Sequence, residues 1–140
     1  MFIVSSLINY NKSLYEFITE EALPVWIRVN VANRLAGSSI EWTKLFGEHN
    51  SGTHNNQWAI VDYELYRENI RKNLPQEEWK DVVWLFEQFF FLSLKMDVTQ
   101  NYLVNQTYFA TYNFPYHQEI LELGNYEKND PHDPREDIIR

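Results

Sequence analysis

The sequence predicts a single α+β domain over residues 1–140. Three observations carry that expectation. Apolar positions recur at helical spacing in one part of the chain, at Val25, Val29, Ala32 and Ala36. Two other segments, "QWAIVDY" and "VVWLFEQFFFLSLKM", are rich in β-branched and aromatic residues, as strands are. No repeat or linker divides the chain, and with only four Gly and five Pro it does not have a disordered composition.

The elements follow in order. Phe2 to Val4 and Leu7–Ile8 read as a short buried strand that begins as though already inside a fold, so the chain is expected to be a fragment. "KSLYEFITEEA" carries a weak helical face through Leu14, Phe17 and Ile18. Pro24 suits the first turn of the next helix, and Gly37 suits its stop. Ser38 and Glu41 have capping-box spacing ahead of a short helix through "EWTKLFG", which Gly47 ends. "NSGTHNN" is turn chemistry, because Asn, Ser and Gly tolerate tight backbone geometry. A strand through "QWAIVDY" follows it.

Residues 64–80 are polar and charged, contain Pro75 as a breaker and read as a loop that can hold a short helix. The run 82–96 is the most apolar stretch. Periodicity leaves one buried helix or two strands open there, and composition favours strands. "DVTQNYLVNQT" reads as helical, with Asp97 or Thr99 near its cap. "YFATYNFPY" reads as extended, since residues ahead of Pro115 avoid helix. A short helix lies between Pro115 and Gly124, and a polar, turn-rich tail without a core face ends the chain.

Composition narrows the function. A formal net charge of −8 and a pI near 4.9 argue against nucleic acid, which needs clustered Lys and Arg. The chain has no Cys, so it contains no disulfide, thiol nucleophile or thiolate metal site. "MFIVSSLIN" lacks a basic segment, and its apolar run is too short for a signal peptide or a membrane span. The four His, at positions 49, 54, 117 and 132, do not form a metal-ligand pattern, and neither a metal nor a cofactor is expected. Asn11-Lys-Ser13 and Asn105-Gln-Thr107 are glycosylation acceptor sequences. Phe89–Phe91 reads as core in preference to a lipid-facing patch.

At "ANRLA", "NSGTHNNQWAIVDY" and "ATYNFP" the chain resembles the phospholipase B-like family of lysosomal proteins. The resemblance implies part of an αββα N-terminal nucleophile hydrolase sandwich, incomplete, with antiparallel sheets between helix layers. This chain would be the middle portion of the catalytic domain. The resemblance also implies a Cys exposed by self-cleavage, whose α-amine is the base, and hydrolysis of acyl ester or amide bonds of phospholipids. Asn113 in "ATYNFP" then matches the oxyanion-hole Asn, and Arg135 in "DPRED" matches an Arg lining the active site. Asn55, Asn56, Trp58 and His54 become pocket-supporting residues. The partners implied are a phospholipid or other acyl substrate and the remaining segments of the same precursor, with homo-oligomerisation open; the compartment is lysosomal or secreted.

Four departures stand against the family pattern. Cys is absent, His54 replaces a Tyr, Phe89–Phe90 replace a Pro-Gly turn, and the sequence stops at Arg140. Without Pro-Gly, the run 82–96 is expected not to fold back as a hairpin at that point. The alternative reading of the whole chain is a catalytically inactive fragment that binds a lipid, a glycan or another subunit. For Asn113 the alternative is a turn-forming Asn, and for Arg135 a solvated side chain.

Overall fold

The computed structural model describes residues 1–126. It is an α+β fold built on one four-stranded antiparallel sheet in the order β1-β2-β3-β4. The strands are β1 (Phe2–Ser6), β2 (Asn56–Val61), β3 (Val83–Phe89) and β4 (Leu92–Asp97). The helices are α1 (Val25–Leu35), α2 (Ser39–Gly47), α3 (Tyr63–Arg71) and α4 (Gln118–Leu123). A 3-10 turn spans Lys12–Phe17, and a π-helical segment spans Thr99–Asn105.

Strand alternation sorts the side chains onto two faces. Trp58 and Ile60 of β2 share a face with Phe86 of β3, and α1 and α2 cover it. Phe46 of α2 sits at its centre, fully buried, stacked on Trp42 at 4.6 Å and edge-on to Trp58 at 4.7 Å. Burying one such ring is worth about 1.5–3 kcal/mol. The opposite face carries Gln57, Ala59, Leu85 and Glu87, with Val82, Val83, Leu85 and Val98 forming a second cluster. A third cluster gathers Leu7, Leu14, Phe89, Phe90, Ile120 and Tyr126 around the end of β3.

The local signals for α1 and α2 work as read. Pro24 is the N-cap of α1, and Ala32 of that helix is fully buried. Ser38 caps α2 by accepting from the Glu41 amide at 3.3 Å, while the Glu41 carboxylate accepts from the Gly37 amide at 2.8 Å.

Other expectations need correcting. The β1 strand exists but is not buried: Ile3 and Val4 are 54% and 47% exposed, and the buried residue is Leu7, just past its end. Among the described residues it is an edge strand, paired with β2 alone. The polar stretch 64–80 does hold a helix, longer than the composition suggested: the nine-residue α3, which begins at Tyr63 and is capped by Asp62, whose Oδ1 accepts from the Leu65 amide at 3.0 Å. The run 82–96 does fold back as a hairpin, with Phe89 paired to Leu92 across Phe90 and Phe91. Phe90 takes a positive φ of 50°, a region that normally favours Gly or Asn.

That turn is held by distant carboxamides. Asn55 Oδ1 accepts from the Phe90 amide at 2.7 Å, and Asn50 Nδ2 donates to the Phe90 carbonyl. The Phe90 ring is buried and packs edge-on against Tyr15 at 5.4 Å. Two aimed hydrogen bonds and a buried ring thus offset the strain that a Pro-Gly turn would have avoided.

Candidate functional site

Glu87 lies in the apolar sequence "VVWLFEQFFF", and the β3 alternation places it on the sheet face away from α1 and α2. It is fully buried. A buried carboxylate survives only with several donors, and Glu87 has four. Its Oε1 accepts from Gln57 Nε2 at 2.6 Å and from the Tyr116 amide at 2.7 Å. Its Oε2 accepts from the His117 amide at 2.9 Å and lies 2.7 Å from His117 Nδ1. Gln57 faces it across the β2–β3 pairing and also donates to the Phe114 carbonyl at 3.2 Å. One carboxylate therefore ties the segment 114–117 to the sheet.

Asn113 sits at the start of that segment. Its φ is 69°, a left-handed conformation that Asn adopts more readily than most residues. Its Nδ2 donates to the Ser6 carbonyl, at the end of β1, at 2.9 Å. Asn113 is thus braced from β1 directly and from β2 and β3 through Phe114, Tyr116 and His117.

Beside it a cleft of about 110 Å³ is lined by Gln57, Tyr102, Thr111, Phe114 and Tyr116 among others. Burial, reinforced by Tyr116, pushes the Tyr102 phenol above its usual range, so it stays a neutral hydroxyl. Gln57 Oε1 and Thr111 Oγ1 are buried without a hydrogen-bond partner among the described residues. A second, more apolar groove of about 350 Å³ lies on the same face between Ala59, Val83, Tyr66, Leu103 and Phe109.

The "NSGTHNN" loop belongs to a different network. Its hub is Arg28 of α1, 2% exposed. Arg28 donates to the carbonyls of Leu23 at 3.1 Å and Phe46 at 2.5 Å, and to Gln88 Oε1 at 3.0 Å. A longer bond reaches Asn50 Oδ1 at 3.4 Å, and the guanidinium stacks 4.5 Å from the Phe46 ring centre. All four acceptors are neutral, and desolvation lowers the Arg28 pKa to about 10. Gln88 completes the network by donating to the His54 carbonyl at 2.8 Å.

The predicted residues therefore separate. Asn55 fixes the Phe90 turn; His54 contributes its carbonyl while its side chain is exposed. Asn56 and Trp58 point to the helix-covered face, away from Gln57, and Asn56 Oδ1 and Trp58 Nε1 have no partner among the described residues. Arg135 lies outside the described residues. Asn105 is exposed at the end of the π-helical segment. Asn11 is the N-cap of the 3-10 turn, and its Nδ2 is engaged with the Leu123 carbonyl at 3.0 Å. Gln57, Glu87 and His117 were not among the predicted site residues. The signal available was the single carboxylate inside an apolar strand.

Comparison with known proteins places this geometry in context. The chain matches the family described as Phospholipase B over residues 1–132. It is 38% identical over 125 residues to phospholipase B-like protein G of Dictyostelium discoideum, covering 86% of this chain and 20% of that protein. It is 34% identical over 120 residues to putative phospholipase B-like 1 of Caenorhabditis elegans, with the same 86% and 20% coverage. It is 32% identical over 117 residues to phospholipase B-like 1 of Rattus norvegicus, covering 84% and 20%. The chain thus spans about a fifth of the length of these relatives.

Proposed function

We propose that this chain, which belongs to the phospholipase B family, is the middle portion of the catalytic domain of a hydrolase that cleaves acyl ester or amide bonds of phospholipids. Its sheet would be one of the two in an αββα sandwich. The observation that carries the reading is the family match over residues 1–132, which includes the braced Asn113 segment.

The chemistry then divides between this chain and the rest of the protein. A Cys outside this sequence attacks the acyl carbonyl, and its own α-amine, with an ordinary pKa of about 7.7–8, takes the thiol proton. The carbonyl oxygen becomes an oxyanion that needs preorganised donors. Asn113 supplies a carboxamide for that role, and its bond to Ser6 supports a fixed orientation of the amide. Arg135, which lies outside the described residues, is assigned on the family resemblance alone, and its planar fork of donors would suit contact with substrate. The protein acts in the lysosome or after secretion, and Asn105, being exposed, is the better placed of the two glycosylation acceptors.

The test is fatty-acid release from phospholipid vesicles by the native-length protein, with mass spectrometry of its mature segments. The expected result is acyl release, and recovery of this sequence joined to, or held by, a Cys-initiated segment. Asn113→Ala should lower kcat by about 10²–10³-fold. No acyl product from any phospholipid would favour a non-catalytic binding module. An unchanged kcat in Asn113→Ala would remove Asn113 from the site.

A further inference from the structure

We infer that Glu87 is a positioning residue for the reaction, acting through Gln57 and the backbone of residues 114–117 to set Asn113. The inference rests on the reading of Asn113 given above.

The geometry supports it at each step. Asn113 has a left-handed φ and begins a segment that contains no regular element until α4 at Gln118. Such a segment has no backbone ladder to hold it, so side chains must. Tyr116 and His117 give their amides to Glu87, and Phe114 gives its carbonyl to Gln57, whose own amide is oriented by Glu87. Three anchors within the four residues after Asn113 thus converge on one fully buried carboxylate, two directly and one through Gln57. The His117 ring, 2.7 Å from Oε2, closes the group.

A carboxylate built only to stabilise the sheet would not need to spend three of its four contacts on a neighbouring loop. Glu87 does not line the cleft, and among the described residues its hydrogen bonds reach the lining only at Gln57 and Tyr116, so it is assigned as a positioning and not a catalytic group.

The isosteric Glu87→Gln exchange separates the possibilities. It puts an NH2 donor where at least one donor now points, so the loop loses part of its anchor. In the native-length protein the expected result is a drop in kcat, up to about 10²-fold for a misplacement near 1 Å, with KM little changed. Hydrogen exchange at the Tyr116 and His117 amides should accelerate in the same variant.

The decisive measurement is a double-mutant cycle with Asn113→Ala. If Glu87 acts through Asn113, Glu87→Gln should cost almost nothing more in kcat once Asn113 is removed. Full additivity of the two losses, or unaltered exchange at both amides, overturns the inference while leaving the Asn113 reading in place. An unchanged kcat in Asn113→Ala alone overturns the Asn113 reading and this inference with it, even where the exchange data confirm the brace. If Glu87→Gln does not fold, Gln57→Met carries the kcat cycle alone: it removes the Phe114 tie that Glu87 orients, full additivity with Asn113→Ala again overturns the inference, and the amide-exchange criterion does not apply because the Tyr116 and His117 bonds to Glu87 stay in place.

Discussion

Replacing Arg28 by Met tests the network that holds the helices to the sheet. Arg28 joins the Leu23 carbonyl, the last turn of α2 at Phe46, the Asn50 loop and Gln88 of β3. Met fills the space of the stem but offers no donor. Asn50 Oδ1 keeps the Gly52 amide at 3.2 Å, so three acceptors are left with a lost charged partner. Each such bond is worth about 1.5–3 kcal/mol, which puts the gross loss at roughly 4.5–9 kcal/mol. Against this, Met removes a charge from a dry site. Burial brings the Arg28 guanidinium down to about 10, and relief of that penalty returns roughly 3 kcal/mol.

The net expectation for Arg28→Met is a destabilisation of about 1.5–6 kcal/mol, as for a broken buried polar network. Urea unfolding followed by tryptophan fluorescence measures it, since Trp42 and Trp58 pack directly against Phe46. The sign of the pH dependence is also fixed. The folded-state value is lowered, so the desolvation penalty is fully present below about 10 and is relieved only above it. The gap between wild type and variant should therefore be flat through neutral pH. A loss smaller than about 0.5 kcal/mol, the range of ordinary surface changes, would refute the reasoning, because it would mean the four contacts only balance their own burial.

Three further outcomes are expected. Gly52→Ala should destabilise by about 2–3 kcal/mol in thermal unfolding, because Gly52 has φ +66° and an added Cβ would come within 3.0 Å of the Phe90 Cα. Asn55→Leu should cost about 1–3 kcal/mol by leaving the Phe90 amide without its acceptor, and hydrogen exchange should show the loss concentrated at the β3–β4 turn. The Glu68 carboxyl is held below its usual range by its hydrogen bond to Lys72, at 2.6 Å, and by the Lys72 charge. That small contribution is present above the ordinary carboxyl value and is lost as pH falls through the lowered one. Lys72→Met should therefore lower Tm slightly at neutral pH and above, and the gap to wild type should close as pH falls through the lowered carboxyl value.

The parts of the fold written in adjacent residues were legible. Pro24, Gly37 and Ser38 mark helix ends because capping is decided within a few positions. The β2 strand was legible because "QWAIV" has a strand composition. α3 was legible only as a possible short helix, because its helical face rests on Leu65 and Tyr66 among charged residues, and its cap, Asp62, sits against the end of β2. The hairpin was misread because the groups that hold the Phe90 turn come from Asn50 and Asn55, 40 and 35 positions away. The brace behind Asn113 was hidden for the same reason: Gln57 meets Glu87 only once the β2–β3 register is set. Local chemistry could be read locally, whereas the candidate site is a product of strand pairing.

The position of β1 has a consequence for the order in which the molecule assembles. The strands β2, β3 and β4 follow one another along the chain, but β1 pairs with β2 across 49 intervening residues that include α1 and α2. Closing a loop of that length carries an entropic cost that must be met before any contact repays it. The β1 strand is therefore suited to dock late, onto a sheet already formed. Its last residue, Ser6, is the anchor for Asn113. The proposed oxyanion donor would then reach its final orientation only at the end of folding, so a partly folded chain would carry Asn113 and its anchors without the arrangement that positions them.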